Sequence, residues 1–469
     1  MLGDVLLLAI ATTASAAAPL AGMRAAIVGA GPSGLLLAHR LLESGASIHI
    51  FESRRDPRVD SAPEGRAYAL GLGLRGRTAI RAADEELWQA VAAQGYASDR
   101  FTLHLPFGSF DLRTPSDKPS SQPRSEPRSG PSSEQEPSVL IYQTNLCAAL
   151  LDALEDRYQP SGRLALTFAT KVTDVDPVGG TVRQESSEES ATKSFDMVAG
   201  CDGASSVVRA AMVSAARELQ VETTQLPGSL KVVRLPKMPA VLSTDAVHLV
   251  PGVGGLAAFL EPTKGGVCAL VSGPSLPGTT DAEEARELLA SSFPTLADAF
   301  NTTDAGRQFV GQRPSTASTV RCSTYHVGRS VLLGDAAHST GGASGQGCNS
   351  ALQDAITLSE CLERFRGEVS PALAAYSRER VPEGHALLDL SVGPGKEAGG
   401  LKRLLFRLSS VTDSLLAKVG LSDPPLQTLL TTTLKPFAKI RRERERLLGA
   451  FPSDEEFARS IDRASRYEE

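Results

Sequence analysis

Three short groups of glycine and aspartate could carry chemistry, because each follows an apolar run and precedes a run with helical periodicity. They are Gly29-Ala30-Gly31-Pro32-Ser33-Gly34, Asp202-Gly203, and Gly334-Asp335 at the start of "GDAAHSTGGASGQGCNS". Bare glycine backbone can approach a ligand closely, and the N–H groups of a helix N-terminus attract phosphate. An aspartate at such a turn can also be a simple helix cap. The groups therefore point to nucleotide binding, with capping as the alternative for each aspartate.

The first group has the full context of a dinucleotide-binding unit. "RAAIVGAGPSGLLLAHRLLESGASIHIFES" predicts a strand, a glycine turn, a helix and a second strand that ends at Glu52. Gly29 would permit the tight turn, Gly31 would admit a pyrophosphate, and Gly34 would let helix and strand pack closely. Glu52 would accept the hydroxyls of an adenosine ribose. The whole unit favours dinucleotide binding over a structural turn.

Residues 71–76 ("GLGLRG") also match the pattern G-x-G-x-x-G but lack the context of a dinucleotide-binding unit. Its acidic partner should fall at position 94, which is Gln94. We predict a strand that leads into a helix there. "PGVGG" at 251–255 has no following helix and predicts a turn.

Composition limits the class of protein. The chain has 469 residues, enough for two or three domains, and a net charge of −6 with no long basic block. Nucleic acid is therefore excluded as a partner, because phosphate neutralisation needs clustered Lys and Arg. The six cysteines are scattered without a CxxC pair, which predicts buried free thiols and neither a metal site nor a disulfide framework.

The elements that position these groups can also be read along the chain. Within residues 164–186, "LALTFATKVTDVDP" and "TVRQES" predict a hairpin, and "SFDMVAGCDGASSVVRAAM" predicts a strand, a glycine turn and a helix. Residues 114–138 are rich in Pro, Ser and charge, which predicts a disordered insertion. Residues 213–320 predict a separate sheet that covers a ligand. Beyond Pro394 the pattern is helical and basic, and we expect it to pack on the main body.

In this order, the three groups resemble the motifs of the FAD-dependent aromatic hydroxylases, the class A flavoprotein monooxygenases. That family carries a GxGxxG, a DG and a GD motif of the form GDAAH…GQG-N. The chain is most similar to the kynurenine 3-monooxygenase branch, through "DMVAGCDGASSVVRAAM", "VRCSTYHVGRSVLLGDAAH" and "YSRERVPEGHALLDLS". The resemblance covers roughly residues 23–392. It is weakest across 213–310 and absent from the insertion.

The resemblance implies an α/β fold: a Rossmann-like FAD-binding domain (GR2-type, three-layer) with an inserted mainly β substrate domain and a C-terminal helical region. The implied segments are 1–22 (a leader or a mis-assigned start), 23–212 (first part of the FAD-binding domain, with the insertion 114–138), 213–320 (substrate domain), 321–395 (second part of the FAD-binding domain) and 396–469 (C-terminal helical region).

The resemblance also implies FAD as cofactor and NAD(P)H as co-substrate. Asp335 would bond the ribityl chain, and Asp202 would lie near the pyrophosphate. Gly345, Gly347 and Asn349 would face the flavin ring at a helix N-terminus, and His338 would be structural beside it. The full set of implied cofactor contacts is Gly29, Gly31, Pro32, Ser33, Gly34, Glu52, Ser53, Arg54, Gln143, Asp202, Gly203, Gly334, Asp335, Gly345, Gln346, Gly347 and Asn349.

Four features depart from the family pattern. Gly342 stands where a proline is usual, and Gln143 stands where an arginine is usual. Val392-Gly393-Pro394-Gly395 replaces the aromatic and Asn residues that hold kynurenine. The membrane-anchoring C-terminal helix of the kynurenine enzymes is not visible. Arg100 could match the arginine that grips a substrate carboxylate, and a solvated surface arginine is the alternative.

These observations predict an FAD-dependent monooxygenase. It would use NAD(P)H and O₂ to hydroxylate a small aromatic or other electron-rich substrate through a flavin C4a-hydroperoxide. The alternatives are a related FAD oxidoreductase, such as an epoxidase or reductase, and a catalytically impaired FAD-binding protein. No transmembrane helix is predicted, although the C-terminal helices allow peripheral membrane contact. Residues 1–22 allow plastid or secretory targeting, and a cytoplasmic location is expected otherwise.

Overall fold

The computed structural model describes residues 18–59, 68–105, 108–113, 136–185, 190–342, 344–394 and 426–465. Most of the predicted leader, most of the low-complexity insertion, Gly395 and residues 396–425 lie outside the described residues. The strands are β1 Arg24–Val28, β2 Ser47–Phe51, β3 Ala69–Leu72, β4 Tyr96–Ser98, β5 Arg100–Leu105, β6 Gly108–Arg113, β7 Ser138–Tyr142, β8 Leu164–Thr167, β9 Lys171–Asp176, β10 Thr181–Glu185, β11 Ser190–Ser194, β12 Met197–Gly200, β13 Val221–Gln225, β14 Ser229–Leu235, β15 Ala246–Pro251, β16 Ala257–Thr263, β17 Gly266–Gly273, β18 Ser318–Cys322, β19 His326–Val327 and β20 Ser330–Leu332.

The helices occupy the segments between and after these strands. They are α1 Pro32–Glu43, α2 Leu74–Ala83, α3 Glu85–Ala93, α4 Gln143–Tyr158, α5 Val207–Ala215, α6 Ala282–Ser292, α7 Ala297–Phe300, α8 Thr303–Val310, α9 Asp335–His338, α10 Gly347–Arg364, α11 Val369–Val392, α12 Leu426–Thr432, α13 Phe437–Arg442, α14 Glu445–Leu448 and α15 Asp454–Ala464.

A six-stranded sheet of order β19-β20-β12-β1-β2-β8 forms the centre of the nucleotide-binding part. β1 pairs in parallel with both β2 and β12, so the predicted βαβ unit is confirmed. Residues 25–28 of β1 are buried, as expected for a strand covered on both faces. The carboxyl ends of β1, β12 and β20 carry the three glycine–aspartate groups to one edge of the sheet.

Two further layers cover this sheet. Helix α1 packs against α4 and α10, and α5 packs against the antiparallel sheet β11-β10-β9. The predicted hairpin is confirmed for β9 and β10, which pair antiparallel. Its first residues do not belong to it, because Leu164–Thr167 forms β8 and pairs in parallel with β2. The arrangement is the three-layer Rossmann-like fold that the sequence predicts.

A second six-stranded sheet, of order β14-β17-β16-β15-β5-β6, lies mostly in the segment predicted to be the substrate domain, and we call it the substrate sheet. One of its faces packs on α6–α8, through the buried residues Val233, Leu235, Val250, Ala258, Leu260, Leu289, Phe293 and Phe309. Strands β5 and β6 precede the insertion in sequence, yet β5 pairs in parallel with β15. The substrate sheet therefore draws on residues 100–113 as well as on the segment 213–320.

The C-terminal helices pack on the main body. Leu430, Phe437, Ile440, Phe457 and Ile461 are buried in the same core as β1 and α1. The expected packing role of this region is thus met for residues 426–465. Within the described ranges, no helix combines the length and the apolar character that a membrane crossing needs.

Candidate functional site

The first glycine turn is shaped by the backbone of the neighbouring strand. Gly29 has φ +104°, and a Cβ there would lie 2.4 Å from the Cys201 carbonyl oxygen. A Cβ on Gly34 would lie 2.3 Å from the Gly29 carbonyl oxygen. Both positions accept only glycine, because backbone atoms on either side cannot yield to a side chain.

Gly31 differs, because the space beside it is open. The nearest atom to a Cβ on Gly31 is the Cys201 carbonyl oxygen, at 3.9 Å. Gly31 is the N-cap of α1, no side chain caps the helix, and Pro32 begins it. The free N–H groups of the first turn, Ser33 and Gly34 among them, therefore face a space in which an anion is stabilised by the helix dipole.

Glu52 follows β2 and is buried beside this turn. Its Oε2 accepts a hydrogen bond from the Ala30 N–H at 2.9 Å. Its Oε1 accepts from the backbone N–H and the Nε of Arg54, at 2.9 and 3.0 Å. Burial opposes ionisation, but the hydrogen bonds and charge of Arg54 outweigh it and lower the pKa of Glu52. Ser53 donates to the same carboxylate at 3.3 Å.

Asp202 combines a structural bond with an unpaired atom. Its Oδ2 accepts from the N–H groups of Val207 and Val208 at the start of α5, which is the capping role left open by the sequence. Its Oδ1 is buried and has no partner among the described residues. Burial raises the pKa of Asp202. The turn that carries it needs glycine next, since Gly203 has φ +77°.

Asp335 lies on the floor of an open cleft between the two helix N-termini. The residue as a whole is exposed, and desolvation of its carboxyl by the surrounding protein raises the pKa of Asp335. A Cβ on Gly334 would lie 3.4 Å from Ser33 Oγ, and a Cβ on Gly347, at the start of α10, would lie 3.8 Å from Asp335 Oδ1. The N-termini of α1 and α10 therefore open onto the same space.

Tyr68 borders this cleft and was not predicted from the sequence. It is 40% exposed. Burial of its hydroxyl and the nearby Asp335 carboxyl raise the pKa of Tyr68. Its carbonyl oxygen accepts a hydrogen bond from the N–H of Gln143, the first residue of α4. An aromatic ring before an apolar strand gives no sequence signal by itself, because most such rings belong to cores.

The glycine-rich loop after α9 is tied to β18. Val320 donates a backbone hydrogen bond to the Ser339 carbonyl at 2.9 Å, and Thr319 bridges to Thr340. Gly342 has φ +80°, a conformation that proline cannot adopt. The proline that is usual here would therefore require a different loop backbone.

The start of α10 is also uncapped by side chains. Gly345 has φ +65°, and the N–H of Gln346 bonds Ser344 Oγ at 3.3 Å. The Gln346 side-chain oxygen is buried with no partner among the described residues. The free N–H groups of Gly347 and Cys348 thus add a second positive helix end beside Asp335.

Asn349 has a task that sequence reasoning missed. Its Oδ1 accepts from the N–H groups of Gly73 and Gly76, at 3.0 and 3.2 Å. Its Nδ2 donates to the carbonyl oxygens of Gly71 and Gly345, at 2.9 and 3.3 Å. The amide is fully used in joining α10 to the segment 71–76, so its predicted contact with a flavin ring stays a prediction. The predicted strand and helix of segment 71–76 are confirmed as β3 and α2.

A buried ionic cluster supports the turn at Gly334-Asp335, which we call the GD turn. Asp354 Oδ2 accepts from the Gly334 N–H at 2.9 Å and lies 2.6 Å from His338 Nε2, while Oδ1 lies 2.6 Å from Arg380 Nε. Burial opposes ionisation, but the charges of His338 and Arg380 hold the pKa of Asp354 far below its ordinary value. His338 is thus placed in the structural position that the resemblance implied.

The second face of the substrate sheet packs in part on β3. Phe101, Leu103, Leu249, Phe259 and Leu270 share that face and are all partly exposed. The opposite face of the same strands is buried against α6–α8. Ala69 of β3 packs on this second face, and its N–H bonds Cys268 Sγ at 3.3 Å. This face is therefore apolar and aromatic and only partly covered, as the wall of a site for a small ring compound requires.

Two arginines lie on opposite faces of the substrate sheet. Arg100 alternates with Phe101 onto the other side of β5, is 44% exposed, and has its Nε 3.6 Å from Asp245 Oδ2. Arg234 shares the second face with Val232, and its guanidinium lies 4.5 Å from the ring centre of Tyr142. The substrate contact of Arg100 stays a prediction, and Arg234 is the arginine on the face that carries Phe101 and Phe259.

All six cysteine thiols are free, and five are buried as predicted, with Cys348 partly exposed.

A cavity of about 630 Å³ lies at the other end of β1, near Met23 and Arg329. The five residues of β1 span roughly 16 Å, which separates this cavity from the glycine turns.

The donors and acceptors of the cleft fit a dinucleotide such as FAD. Two uncapped helix N-termini suit a pyrophosphate and an electron-poor ring, and the open side of Gly31 admits a phosphate. The unpaired atoms Asp202 Oδ1 and Gln346 Oε1 are buried where such a ligand would provide partners. Metal-ligand clusters of three or more His, Cys, Asp or Glu are absent from the part of the chain that the structure describes.

Comparison with known proteins agrees with this fit. Residues 23–391 match a family described as "FAD binding domain". The chain is 30% identical over 431 residues to kynurenine 3-monooxygenase of Salinispora arenicola, covering 88% of this chain and 89% of the relative. It is 27% identical over 442 residues to violacein synthase of Chromobacterium violaceum, covering 89% and 96%. The structure of 2-methyl-3-hydroxypyridine-5-carboxylic acid oxygenase superposes with a TM-score of 0.62 at 19% identity, covering 84% and 95%.

Proposed function

Because the chain belongs to the FAD-dependent aromatic hydroxylases, we propose that it hydroxylates a small aromatic compound bound between the substrate sheet and the glycine-rich loop. The observation that carries this proposal is the convergence of two uncapped helix N-termini on one cleft that holds Asp335. An apolar, aromatic sheet face closes the same space. Bound FAD would carry electrons from NAD(P)H to dioxygen and allow transfer of one oxygen atom to the ring.

The protein's own contribution is to hold the cofactor and exclude water. Ser33 and Gly34 would bind the pyrophosphate through backbone N–H groups, and Asp335 would accept hydrogen bonds from hydroxyl groups of the ribityl chain. The N–H groups of Gly347 and Cys348 would stabilise negative charge on the ring. Asp354 would keep the GD turn rigid from behind.

The substrate space supports an aromatic compound other than kynurenine. The resemblance places substrate-holding aromatic and Asn residues just beyond α11, where this chain ends the helix at Val392 and continues with Gly393 at φ +75°. That segment offers no side chain for the same contacts. The partly exposed rings of Phe101 and Phe259, which meet edge to face at 5.7 Å between centres, supply an apolar surface for a planar substrate.

Replacing Gly31 with alanine is expected to separate folding from cofactor binding. The added Cβ finds open space in the protein, so we expect the free energy of unfolding to change by less than about 1 kcal/mol. The same methyl group would occupy the path of the pyrophosphate, and FAD affinity should fall at least about tenfold. Fluorescence titration of the apoprotein with FAD, beside urea unfolding, measures both effects. A variant that binds FAD as tightly as wild type would place the phosphate elsewhere.

The reaction itself can be tested with a panel of aromatic probes. The FAD-loaded protein is incubated with NADPH, isotopically labelled dioxygen and phenol, aniline or benzamide, and products are examined by mass spectrometry. We expect a product that has gained one labelled oxygen atom for at least one probe. Incorporation of oxygen from labelled water instead would indicate different chemistry and contradict the proposal.

A further inference from the structure

One carboxyl on the substrate sheet has no part in the contacts described so far. Glu261 of β16 is only 7% exposed. Within the described residues, no side chain or backbone group makes a hydrogen bond or an ion pair with its carboxyl. A buried carboxyl without a partner is rare, because desolvation of an unpaired polar group is unfavourable. Such a group is expected where a ligand completes the hydrogen bonds.

The side chain of Glu261 points to the space assigned to the substrate. Its neighbour Leu260 is buried in the cluster that packs on α6–α8. Successive side chains of a strand alternate between faces, so Glu261 lies on the opposite face with Phe259. Its cross-strand partner on β17 is Cys268, the residue whose sulfur bonds Ala69 of β3.

A second polar side chain stands in the same row. Cys268 also faces Arg234 of β14, so Glu261, Cys268 and Arg234 lie side by side across three strands. At roughly 4.8 Å between strands, Glu261 and Arg234 start about 10 Å apart. Arg234 covers the ring of Tyr142, which precedes α4 at the cleft. The row therefore forms one polar edge of an otherwise apolar space.

The surroundings of Glu261 favour its neutral form. Burial raises the pKa of Glu261 to about 8. The groups that face it are the Cys268 thiol and the Tyr142 hydroxyl, both with a pKa raised by burial, and Arg234 lies one strand beyond. At neutral pH the side chain is thus a carboxylic acid, with one O–H donor and one carbonyl acceptor.

We propose that Glu261 determines substrate specificity by binding an uncharged substituent that both donates and accepts a hydrogen bond, such as a carboxamide, a lactam or a ring hydroxyl. The proposal rests on the proposed function, since it assigns the orientation of the aromatic ring in that site. A cationic substituent is disfavoured by Arg234 on the same face. An anionic carboxylate accepts hydrogen bonds but donates none, so it would leave the carbonyl oxygen of the neutral Glu261 side chain without a donor.

The test uses the FAD-loaded protein and three ring compounds that differ in one substituent: benzamide, benzoate and benzylamine. Binding is measured by isothermal titration calorimetry at pH 7, with no turnover required. We expect benzamide to bind at least about tenfold more tightly than the other two. Glu261→Leu should lose about tenfold in benzamide affinity, and Glu261→Gln should stay within about threefold because its amide keeps a donor and an acceptor. Val241→Ala, at a position 69% exposed on the same domain, is the control.

The pH profile gives a second readout that a purely structural role would not produce. Because ionisation of Glu261 removes the donor, wild-type affinity for benzamide should be about tenfold lower at pH 9 than at pH 7. Glu261→Gln has no proton to lose there, and its affinity should not change across this range.

The outcomes separate this proposal from the proposed function. Wild-type affinity in Glu261→Leu, no binding of benzamide to the wild type, or the same pH dependence in Glu261→Gln each overturns the role of Glu261. If Glu261→Leu fails to fold or to retain FAD, the pH profile of Glu261→Gln decides alone. Failure of NAD(P)H to reduce the flavin would overturn the proposed function while leaving these binding results unaffected.

Discussion

Replacing Gly29 with alanine should destabilise the protein by about 3 kcal/mol or more and abolish retention of FAD. At φ +104° an alanine is strained by about 1–2 kcal/mol. Its Cβ would also lie 2.4 Å from the Cys201 carbonyl oxygen, so β1 and β12 must separate where they carry two of the three motifs. Urea unfolding of the apoprotein and the flavin content after purification measure the two effects.

The matched control is Gly265→Ala. Gly265 has φ +97° in the turn between β16 and β17, and no atom lies within 4 Å of its Cβ position. This variant carries the same conformational strain without the overlap, so we expect a loss of about 1–2 kcal/mol and full retention of FAD. Equal destabilisation in both variants would show that the contact with Cys201 is not limiting.

The second large effect is expected from Asp354→Asn. The substitution removes the negative charge from a fully buried cluster and leaves the Arg380 guanidinium without its counter-ion. Breaking a buried ion pair on one side destabilises a protein by about 3–5 kcal/mol. Because the same side chain bonds the Gly334 N–H, FAD affinity should fall as well. Asp462→Asn, in the half-exposed pair with Arg378, should change stability by less than about 0.5 kcal/mol.

The contribution of Asp354 to the free energy of unfolding should decrease as the pH falls into the acid range. Its pKa in the folded protein lies below that in the unfolded chain, so its stabilisation is complete above about pH 4 and is lost as the pH falls further. The difference in unfolding free energy between wild type and Asp354→Asn should therefore be constant near neutrality and shrink below about pH 4. A difference that stays constant into acid would mean that the carboxylate charge is not what stabilises the GD turn.

The nucleotide-binding half of the site could be predicted because its requirements are local. Gly29, Gly31 and Gly34 are determined by one turn and one helix start, and the spacing to Glu52 follows from one βαβ unit. The backbone itself supplies most of the ligand contacts in such a unit, so residue types within thirty positions carry the signal.

The substrate half could not be predicted because it depends on register between distant strands. The row of Glu261, Cys268 and Arg234 exists only for the pairing of β14, β17 and β16 that the structure shows. A shift by one residue would turn each side chain to the other face. Equally, nothing in the residues around Arg100 indicates that β5 joins a sheet formed mostly beyond position 213.

Two residues support the site from α10: Asp354, which the sequence indicates in part, and Asn349, which it does not indicate. Asp354 stands among Ala351, Ala355 and Leu358 on the apolar side of α10, and a carboxylate on such a face signals a buried partner. That partner, Arg380, is on a different helix, and sequence alone does not identify it. The hydrogen bond from the Gly73 N–H to Asn349 Oδ1 joins the two parts of the FAD-binding domain, and no residue pattern near either position indicates it.

We expect the cleft to hold FAD in a form that NAD(P)H reduces. The most direct measurement mixes the FAD-loaded protein with NADPH, and separately NADH, under anaerobic conditions and follows the visible absorbance of oxidised flavin. We expect this absorbance to bleach with at least one of the two nucleotides and to return when oxygen is admitted. A protein that retains FAD but whose flavin neither NADPH nor NADH bleaches, with or without the aromatic probes, would contradict it.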